Sequence, residues 1–340
     1  MEKRYDLLTC GEVLMRLSPE EGQRLTQARS LRLHIGGAEL NVAAGAGQLG
    51  LCTGIITCLP DNAMGRLAAR EIRFQGVSDE YLAFEQGPQA RLGLYYYEGA
   101  AAPRKPEVVY DRKNSSATRI SPKYFPDKMY GETRCFHTSG ITLALGGQSR
   151  RAAVSMMRRF REEGALISFD VNFRGNLWTG EEAKACIEEI LPLVDIFFCS
   201  EDTARLTFQK KGNLREIMKS FTEEYPISVV ASTRRVVHSP KIHSFGSVIY
   251  HRKTDGYYEE APYENIEVTD RIGSGDAYVA GALYGLLTAP SDPGRAVSVG
   301  NAVSALKNTV AGDLPCMTLS EIEETIREHR QGGSAPEMKR

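Results

Sequence analysis

Short apolar runs alternate with amphipathic segments along most of this chain, and that alternation limits the possible fold more than any other feature. Four runs, RCFHTSG, ALISFD, VDIFFC and ISVVAS, have the length and composition of buried strands. Helices are predicted near residues 149–163, 181–191, 201–208, 213–224, 294–309 and 318–329. Such alternation predicts an α/β fold, in which a doubly wound, mostly parallel sheet is flanked by helices on both faces.

The alternation is interrupted between residues 81 and 118. The segments ARLGLYYYEG and EVVYDR are aromatic and β-branched, and a loop with two prolines separates them. This composition predicts antiparallel strands, and the stretch 12–35 is expected to join the same small sheet. We therefore predict three regions: an α/β core of 1–11, 36–88 and 119–330, a small β-sheet lid of 12–35 and 89–118, and a flexible tail of 331–340.

Two further predictions concern the region after ISVVAS. The segments GSVIYH and GYYEEA are expected to form a hairpin or edge strands. The polar run VVHSPKIHSFGS, which contains His238 and His243, is expected to be a surface loop. Its histidines do not have the spacing of a metal site.

Charge and cysteine usage narrow the class of protein. The 340 residues contain 42 Lys and Arg against 43 Asp and Glu, so no electrostatic reason favours a nucleic acid or membrane partner. No run approaches the ~20 apolar residues of a membrane span, and the first residues lack the apolar core of a secretory signal. The seven cysteines form neither a CxxC pair nor a zinc cluster. We therefore expect reduced thiols and a cytoplasmic location.

The segment DRIGSGDA, residues 270–277, carries the strongest local signal. Its glycines fall at a strand-to-helix junction, where unpaired backbone amides and the helix dipole favour an anion such as phosphate. Gly273, Ser274 and Gly275 would supply these amides. Asp276 could accept the proton of an alcohol, and the helix end is expected to keep it ionised. The alternative is a glycine-rich turn with an aspartate cap.

A second glycine pair lies near the N-terminus. Gly36 and Gly37 would let a ligand approach the backbone closely, and Asn41 offers two donors and an acceptor. A tight turn with a helix cap would explain the same residues.

Together these segments resemble the signatures of the PfkB (ribokinase-like) family of carbohydrate kinases: GGAELNVAAGAGQLG matches its N-terminal signature, and DRIGSGDAYVAG matches its C-terminal one. The resemblance implies a ribokinase-like fold with a β lid, and ATP and Mg²⁺ as cofactors. It implies that Gly36, Gly37 and Asn41 contact the sugar. Asp276 would be the catalytic base beside an anion hole formed by Gly273, Ser274 and Gly275. No metal ligand is identified.

Within the family, GEVLMRLSP, ARLGLYYYE, VVYDR, FDVNFRGNLW and ALKNTVAGD resemble the 2-keto-3-deoxygluconate kinases. That resemblance implies phosphorylation of this sugar acid at a primary hydroxyl and a homodimer formed through the lid. The implied substrate ligands are Gly37, Tyr95, Tyr110, Arg112, Arg174 and Asp313. The expected nucleotide ligands include Asn172, near the phosphates or the substrate, Ser200 and Asn301. Where many family members have a K-x-G-x-x-G stretch this chain has ASTRR, in which Ser232, Thr233 and Arg234 are expected to contact phosphates or ribose.

Two arginines support an acidic substrate on physical grounds. A sugar acid needs a cation to offset desolvation of its carboxylate, and arginine offers a planar fork of donors. Arg112 follows a strand of the expected lid, and Arg174 follows the strand end of ALISFD. Ligands of open α/β sheets bind beyond such strand ends. The alternative is that either arginine pairs with surface carboxylates.

Some positions depart from the family pattern. Ser200 and Thr203 stand in place of the Asn and Glu of an Asn-x-x-Glu arrangement, and Arg271 and Ile272 replace the usual threonines before the anion hole. Two alternatives therefore remain. One is a kinase for another small sugar, such as fructose, ribose or 5-dehydro-2-deoxygluconate. The other is a non-catalytic sugar-acid sensor on the same fold.

Overall fold

The computed structural model describes residues 3–332, so residues 333–340 of the expected tail lie outside the described part. In chain order the strands are β1 (Tyr5–Cys10), β2 (Leu14–Ser18), β3 (Arg32–Gly36), β4 (Thr53–Pro60), β5 (Leu82–Glu85), β6 (Gly93–Glu98), β7 (Glu107–Asp111), β8 (Thr133–Ser139), β9 (Leu166–Asp170), β10 (Ile196–Phe198), β11 (Val229–Ser239), β12 (Ile242–His251), β13 (Gly256–Glu259) and β14 (Tyr263–Glu267). The helices are α1 (Ala38–Gln48), α2 (Ala63–Phe74), α3 (Gly140–Ala144), α4 (Gly147–Glu162), α5 (Gly180–Ile190), α6 (Glu201–Leu206), α7 (Leu214–Glu224), α8 (Ser274–Thr288), α9 (Pro293–Lys307) and α10 (Leu319–Arg330).

A large sheet with the order β13-β12-β11-β10-β9-β8-β1-β4-β5 forms the centre of the molecule, and β14 also pairs with β12. From β11 to β5 every neighbouring pair is parallel, whereas β12 runs antiparallel to β11, β13 and β14. The predicted α/β class with a mostly parallel, doubly wound sheet is confirmed. No helix within residues 3–332 is both long and apolar enough to cross a bilayer.

Helix α8 is held firmly in the core because it is rich in small residues. A side chain at Gly281 would press on the backbone of Val299 in α9, and one at Gly285 would meet Ala296. On the other side, Gly45 of α1 lies against Ala280 of α8. The close packing of three helices fixes the position of the N-terminus of α8, which carries the DRIGSGDA segment.

The small sheet is separate and has the order β3-β2-β6-β7. Strands β2 and β6 pair in parallel, and the two outer pairs are antiparallel. The expectation that the early stretch of the chain joins the later aromatic strands in one sheet is confirmed. Strand β7 is exposed along its whole length, so one margin of this sheet faces solvent.

The run expected to be a surface loop is instead a long hairpin. Strands β11 and β12 remain paired out to Ser239 opposite Ile242, with a shift in register between Val237 and Ser239. The loop prediction was wrong because β12 lies between β11 and β14, so that its polar residues His243 and Ser244 are paired and buried, and only the facing end of β11 is exposed. The expected antiparallel pairing of GSVIYH with GYYEEA is observed between β12 and β13.

Candidate active site

A cavity of about 630 Å³ lies between the two sheets, at the carboxyl ends of the parallel strands. The large sheet contributes the last residue of β9, the residues after β10 and the middle of β11. The small sheet contributes side chains of β2, β6 and β7. The start of α8 forms part of its wall. This is the region where open α/β sheets bind ligands.

The N-terminus of α8 presents backbone amides to this cavity. Gly273 has a φ of 81°, and a β-carbon there would overlap the backbone oxygen of Asp313, so glycine is required. The Ser274 amide donates to the carbonyl of Arg271 at 3.2 Å. The amides of Gly275 and Asp276 have no intrahelical acceptor, because they lie in the first turn. This arrangement can bind an anion.

The carboxylate of Asp276 joins the two sequence motifs. Asn41 Nδ2 donates to Asp276 Oδ2 at 2.6 Å, and Asn172 Nδ2 donates to Asp276 Oδ1 at 3.3 Å. Burial raises the pKa of Asp276 above its usual value, although both amides favour the charged form. The helix end was expected to keep Asp276 ionised as a modest base, but burial opposes that effect and makes this carboxylate a stronger base than a surface aspartate.

A second carboxylate, Asp170 at the end of β9, lines the same cavity. Burial, and then the negative charge of Asp276, raise the pKa of Asp170 to about 7. The Asn172 amide donates to Asp170 Oδ1 at 3.0 Å, which fixes the turn after the strand. Asp170 was absent from the sequence prediction. Its place as the last residue of an apolar strand was the signal that could have indicated it.

On the side of the small sheet, three predicted sugar ligands face the cavity: Tyr95, Tyr110 and Arg112. The Tyr95 hydroxyl donates to Asp313, which is also in the cavity wall. The ring of Tyr110 lies 5.6 Å from that of Tyr95. Arg112 is buried and already forms an ion pair with Glu12, a residue that the sequence prediction missed.

The two glycines of the N-terminal pair contribute to this side of the cavity in different ways. Gly37 lines the cavity and has a φ of 146°. Gly36 does not line it, but a β-carbon there would press on the side chain of Asp313. Glu39 follows the glycine pair in the sequence and is buried. It accepts hydrogen bonds from Ser139 and Thr142, and these bonds anchor the start of α1.

Three arginines line the other half of the cavity: Arg174, Arg235 and Arg271. Within residues 3–332 none of them forms a direct ion pair with a carboxylate. The charge of Arg174 nevertheless acts on the carboxylates of Asp276 and Asp170. Partial desolvation of the guanidinium, and then the charges of Arg271 and Arg174, lower the pKa of Arg235. Like charges gathered without partners favour an anionic ligand with several negative charges.

The expected nucleotide ligands divide into two groups. Asn172, Ser200 and Thr233 line the cavity; Ser200 also caps α6 by accepting from the Thr203 amide at 3.2 Å. Ser232, Arg234 and Asn301 lie outside the cavity. Residues alternate along β11, so Thr233 and Arg235 face the cavity while Ser232 and Arg234 point away. Asn301 is buried in α9, where it accepts from Ser247 at 2.7 Å.

Within the described residues, no group of three or more His, Cys, Asp or Glu side chains is arranged to hold a metal ion by itself. A phosphate-bound magnesium ion does not need such a cage, since one or two carboxylates, phosphate oxygens and water usually suffice.

Comparison with known proteins gives one consistent result. The sequence model of the pfkB family of carbohydrate kinases matches residues 5–318. A 2-dehydro-3-deoxygalactonokinase of Haloferax volcanii is 34% identical over 97% of this chain and 98% of its own length.

Two solved structures are similar over nearly the whole chain. A 2-dehydro-3-deoxygluconokinase from Thermotoga maritima has a TM-score of 0.90 at 30% identity, covering 96% of this chain and 100% of its own. A PfkB family carbohydrate kinase from Listeria grayi has a TM-score of 0.89 at 33% identity, covering 94% and 99%.

Proposed function

The chain belongs to the pfkB family of carbohydrate kinases, and from that membership and its cavity we propose that it phosphorylates a 2-keto-3-deoxy sugar acid with ATP. The substrate we propose first is 2-keto-3-deoxygluconate, phosphorylated at its primary hydroxyl. The observation that carries the proposal is the Asp276 carboxylate, held by Asn41 and Asn172 beside the amides of α8. One carboxylate and one anion site are thereby brought together in a single cavity.

The reaction follows from this pairing. The sugar hydroxyl donates its proton to Asp276 as its oxygen attacks the γ-phosphorus of ATP, and the bond to the bridging oxygen breaks as ADP leaves. The amides at the start of α8 stabilise the negative charge on the transferred group. A loose phosphoryl-transfer transition state depends more on alignment and charge stabilisation than on strong deprotonation. The raised pKa of Asp276 nevertheless makes it a better proton acceptor.

Charge separates the cavity into two halves. Arg112 is balanced by Glu12, whereas Arg174, Arg235 and Arg271 have no carboxylate partner within residues 3–332. We assign Arg235 and Arg271 to the phosphates of ATP, because Arg271 lies two residues before Gly273 and Arg235 faces the cavity from the same side of β11 as Thr233. We assign Arg174, together with the Tyr95 and Tyr110 wall, to the sugar acid.

The residues present fit ATP and Mg²⁺. The unpaired arginines supply the counter-charge for a triphosphate, and Asp170 supplies a carboxylate whose second oxygen has no hydrogen-bond partner within residues 3–332. We propose that Asp170 lies beside Mg²⁺, directly or through water. The ion would neutralise phosphate charge and relieve the repulsion between Asp170 and Asp276.

The C4 epimer, 2-keto-3-deoxygalactonate, is a second candidate substrate. It is favoured by the 34% identity to a kinase named for this sugar. The two acids share the carboxylate that a cationic site would bind, and they differ in the orientation of one hydroxyl.

We also propose a homodimer formed through the small sheet and a cytoplasmic location. The outer strands β3 and β7 expose Leu33, Val108 and Val109, and a second copy could cover these apolar side chains and the strand margin. All seven cysteines are free thiols, as expected in a reducing compartment that also supplies ATP. Sedimentation of the V108K/V109K variant, expected to be monomeric beside a dimeric wild type, tests the interface.

An assay of purified protein tests the substrate. ADP release would be measured with ATP, Mg²⁺ and a panel of both 2-keto-3-deoxy acids, 5-dehydro-2-deoxygluconate, fructose and ribose. We expect kcat/KM to be highest for one of the 2-keto-3-deoxy acids, and R174A to lower kcat/KM for acids but not for neutral sugars. Equal turnover of neutral sugars, unchanged in R174A, would contradict the acid assignment. Tight binding of the sugar acid without ATP binding or ADP release would favour a sensor.

A further inference from the structure

A buried network of charges connects the small sheet to the loop that begins α8. Arg16 of β2 is only 2% exposed. Its Nη2 donates to Asp270 Oδ2 at 2.6 Å, and its Nε lies 3.3 Å from Asp313 Oδ2. Asp270 precedes α8 and Asp313 follows α9, so one side chain of the small sheet reaches two separate loops of the core.

The register of the small sheet places a second side chain on the same target. Arg16 of β2 pairs with Tyr95 of β6, and paired residues of neighbouring strands project from the same face. The Tyr95 hydroxyl donates to Asp313 Oδ1, while Arg16 faces Oδ2. Tyr95 therefore hydrogen-bonds one oxygen of Asp313, and Arg16 forms an ion pair with the other.

Asp270 in turn shapes the anion-binding loop. Its Oδ1 accepts from the Ile272 amide at 3.0 Å, and its Oδ2 accepts from the Gly312 amide at 3.1 Å. The backbone of Asp313 lies directly against Gly273. The position of Gly273, and with it that of the first amides of α8, therefore depends on the two carboxylates that Arg16 contacts.

The network is balanced in charge. Lys307, which is fully buried, donates to the carbonyls of Asp270 and Val310, both at 3.3 Å. Two cations, Arg16 and Lys307, thus accompany the carboxylates of Asp270 and Asp313. Without Arg16 the network would hold an unbalanced negative charge next to the phosphate site.

We propose that Arg16 is a positioning residue that docks the small sheet onto the loops at 270–275 and 312–313. The contacts that hold this sheet over the sugar then also set the shape of the anion site, so the two are coupled. Arg16 does not line the cavity, and the direct ligands of both substrates remain when it is replaced. Its loss therefore removes no direct ligand, and we expect it to displace the reacting groups more than it weakens binding. The kinetic consequence rests on the proposed kinase function.

Steady-state kinetics of R16M and R16K, with R32M as a matched control, test this role. Arg32 lies on the adjacent strand β3 and pairs with Glu20 at the surface. We expect R16M to lower kcat roughly 100-fold, the scale of a small misplacement of reacting groups, while both KM values change less than about threefold. R16K retains the charge and should recover part of kcat, and R32M should match the wild type. A normal kcat in R16M, or a loss confined to KM, would overturn the proposal.

Folding must be separated from positioning, because loss of one partner of a buried ion pair can unfold a protein. The double variant R16M/D270N removes the unbalanced charge; it should fold, by its thermal transition, and still have a low kcat. Hydrogen exchange gives a readout that needs no sugar: peptides covering 268–276 and 310–314 should exchange at least about tenfold faster in R16M and R16M/D270N than in R32M or the wild type. Unchanged exchange in R16M would overturn the proposal about Arg16, whatever the activity of the wild type. A wild type that phosphorylated none of the sugars would contradict only the proposed function.

Discussion

Asn41 Nδ2 lies 2.6 Å from Asp276 Oδ2, although 235 residues separate the two in the chain. The contact joins the first helix after the glycine pair to the first turn of α8. It places a hydrogen-bond donor on the carboxylate that we propose as the proton acceptor. The two motifs that the sequence analysis singled out therefore form one site.

This contact predicts how activity depends on pH in the variant N41A. An amide donor stabilises the charged form of Asp276, so its removal raises the pKa of that carboxylate further. Asp276 accepts a proton only when it is ionised, and activity is therefore lost as pH falls through this pKa. We expect the acidic limb of kcat/KM to move to higher pH in N41A. A limb that is unmoved, or that moves to lower pH, would contradict the role of Asn41. Asn176, which lines the cavity without contacting Asp276, supplies the control variant N176A.

Two neighbouring arginines of β11 allow the nucleotide ligand predicted from the sequence to be compared with the one that the cavity indicates. Arg235 lines the cavity and Arg234 does not. We expect R235A to raise the KM for ATP about tenfold, the effect of losing one charge-assisted hydrogen bond, and R234A to leave it unchanged. Steady-state kinetics at saturating sugar acid measure both. The reverse order would support the original assignment of Arg234 to the nucleotide.

Gly273 provides a test of the anion loop that does not depend on charge. Gly273 and Gly50 both have a positive φ, but only at Gly273 would a side chain meet neighbouring atoms. G50A should lower the free energy of unfolding by about 1–2 kcal/mol, the cost of a left-handed residue, and leave kcat unchanged. G273A should lower it more and reduce kcat by about 100-fold or more, as expected when an anion-site donor is displaced. Denaturant titration and kinetics check both, and a fully active G273A would be inconsistent with the proposed site.

Asp170 predicts the response to magnesium. If this carboxylate lies beside the metal, D170N should require about tenfold more free Mg²⁺ for half-maximal rate, the lower end of the effect seen for residues that support a metal. The rate is measured against free Mg²⁺ at saturating ATP and sugar acid. An unchanged requirement would remove Asp170 from the metal site. The variant D202N, altered in the first turn of α6 outside the cavity wall, serves as the control.

The fold was largely predictable because local patterns decide it. The apolar runs RCFHTSG and ALISFD became β8 and β9, and the aromatic segment became the small sheet. The hairpin of β11 and β12 was not predictable from polarity. In its outer half the β11 residues are exposed, whereas His243 and Ser244 of β12 are buried although they are polar, and β12 also pairs with β14. Such backbone pairing leaves no signature in residue polarity.

The site was predictable only where a motif carries it. Gly273 and Asp276 are marked by glycine spacing. A prediction that Arg235 lines the cavity would have required knowing which face of β11 meets the cavity, and a shift of one residue reverses that face. Arg16 left a weaker signal, a charged residue flanked by Met15 and Leu17 in an otherwise apolar strand. Its partners Asp270 and Asp313 are far away in sequence, so only the folded chain shows what it does.

The account depends most on Asp276 as the proton acceptor. The measurement that tests this most directly compares kcat and sugar-acid affinity in D276N and the wild type, with affinity taken from calorimetry in the absence of ATP. We predict that kcat falls by about 10²–10⁴-fold, the usual contribution of a general base, while the dissociation constant of the sugar acid changes little. A kcat for D276N within a few fold of the wild-type value would contradict the account.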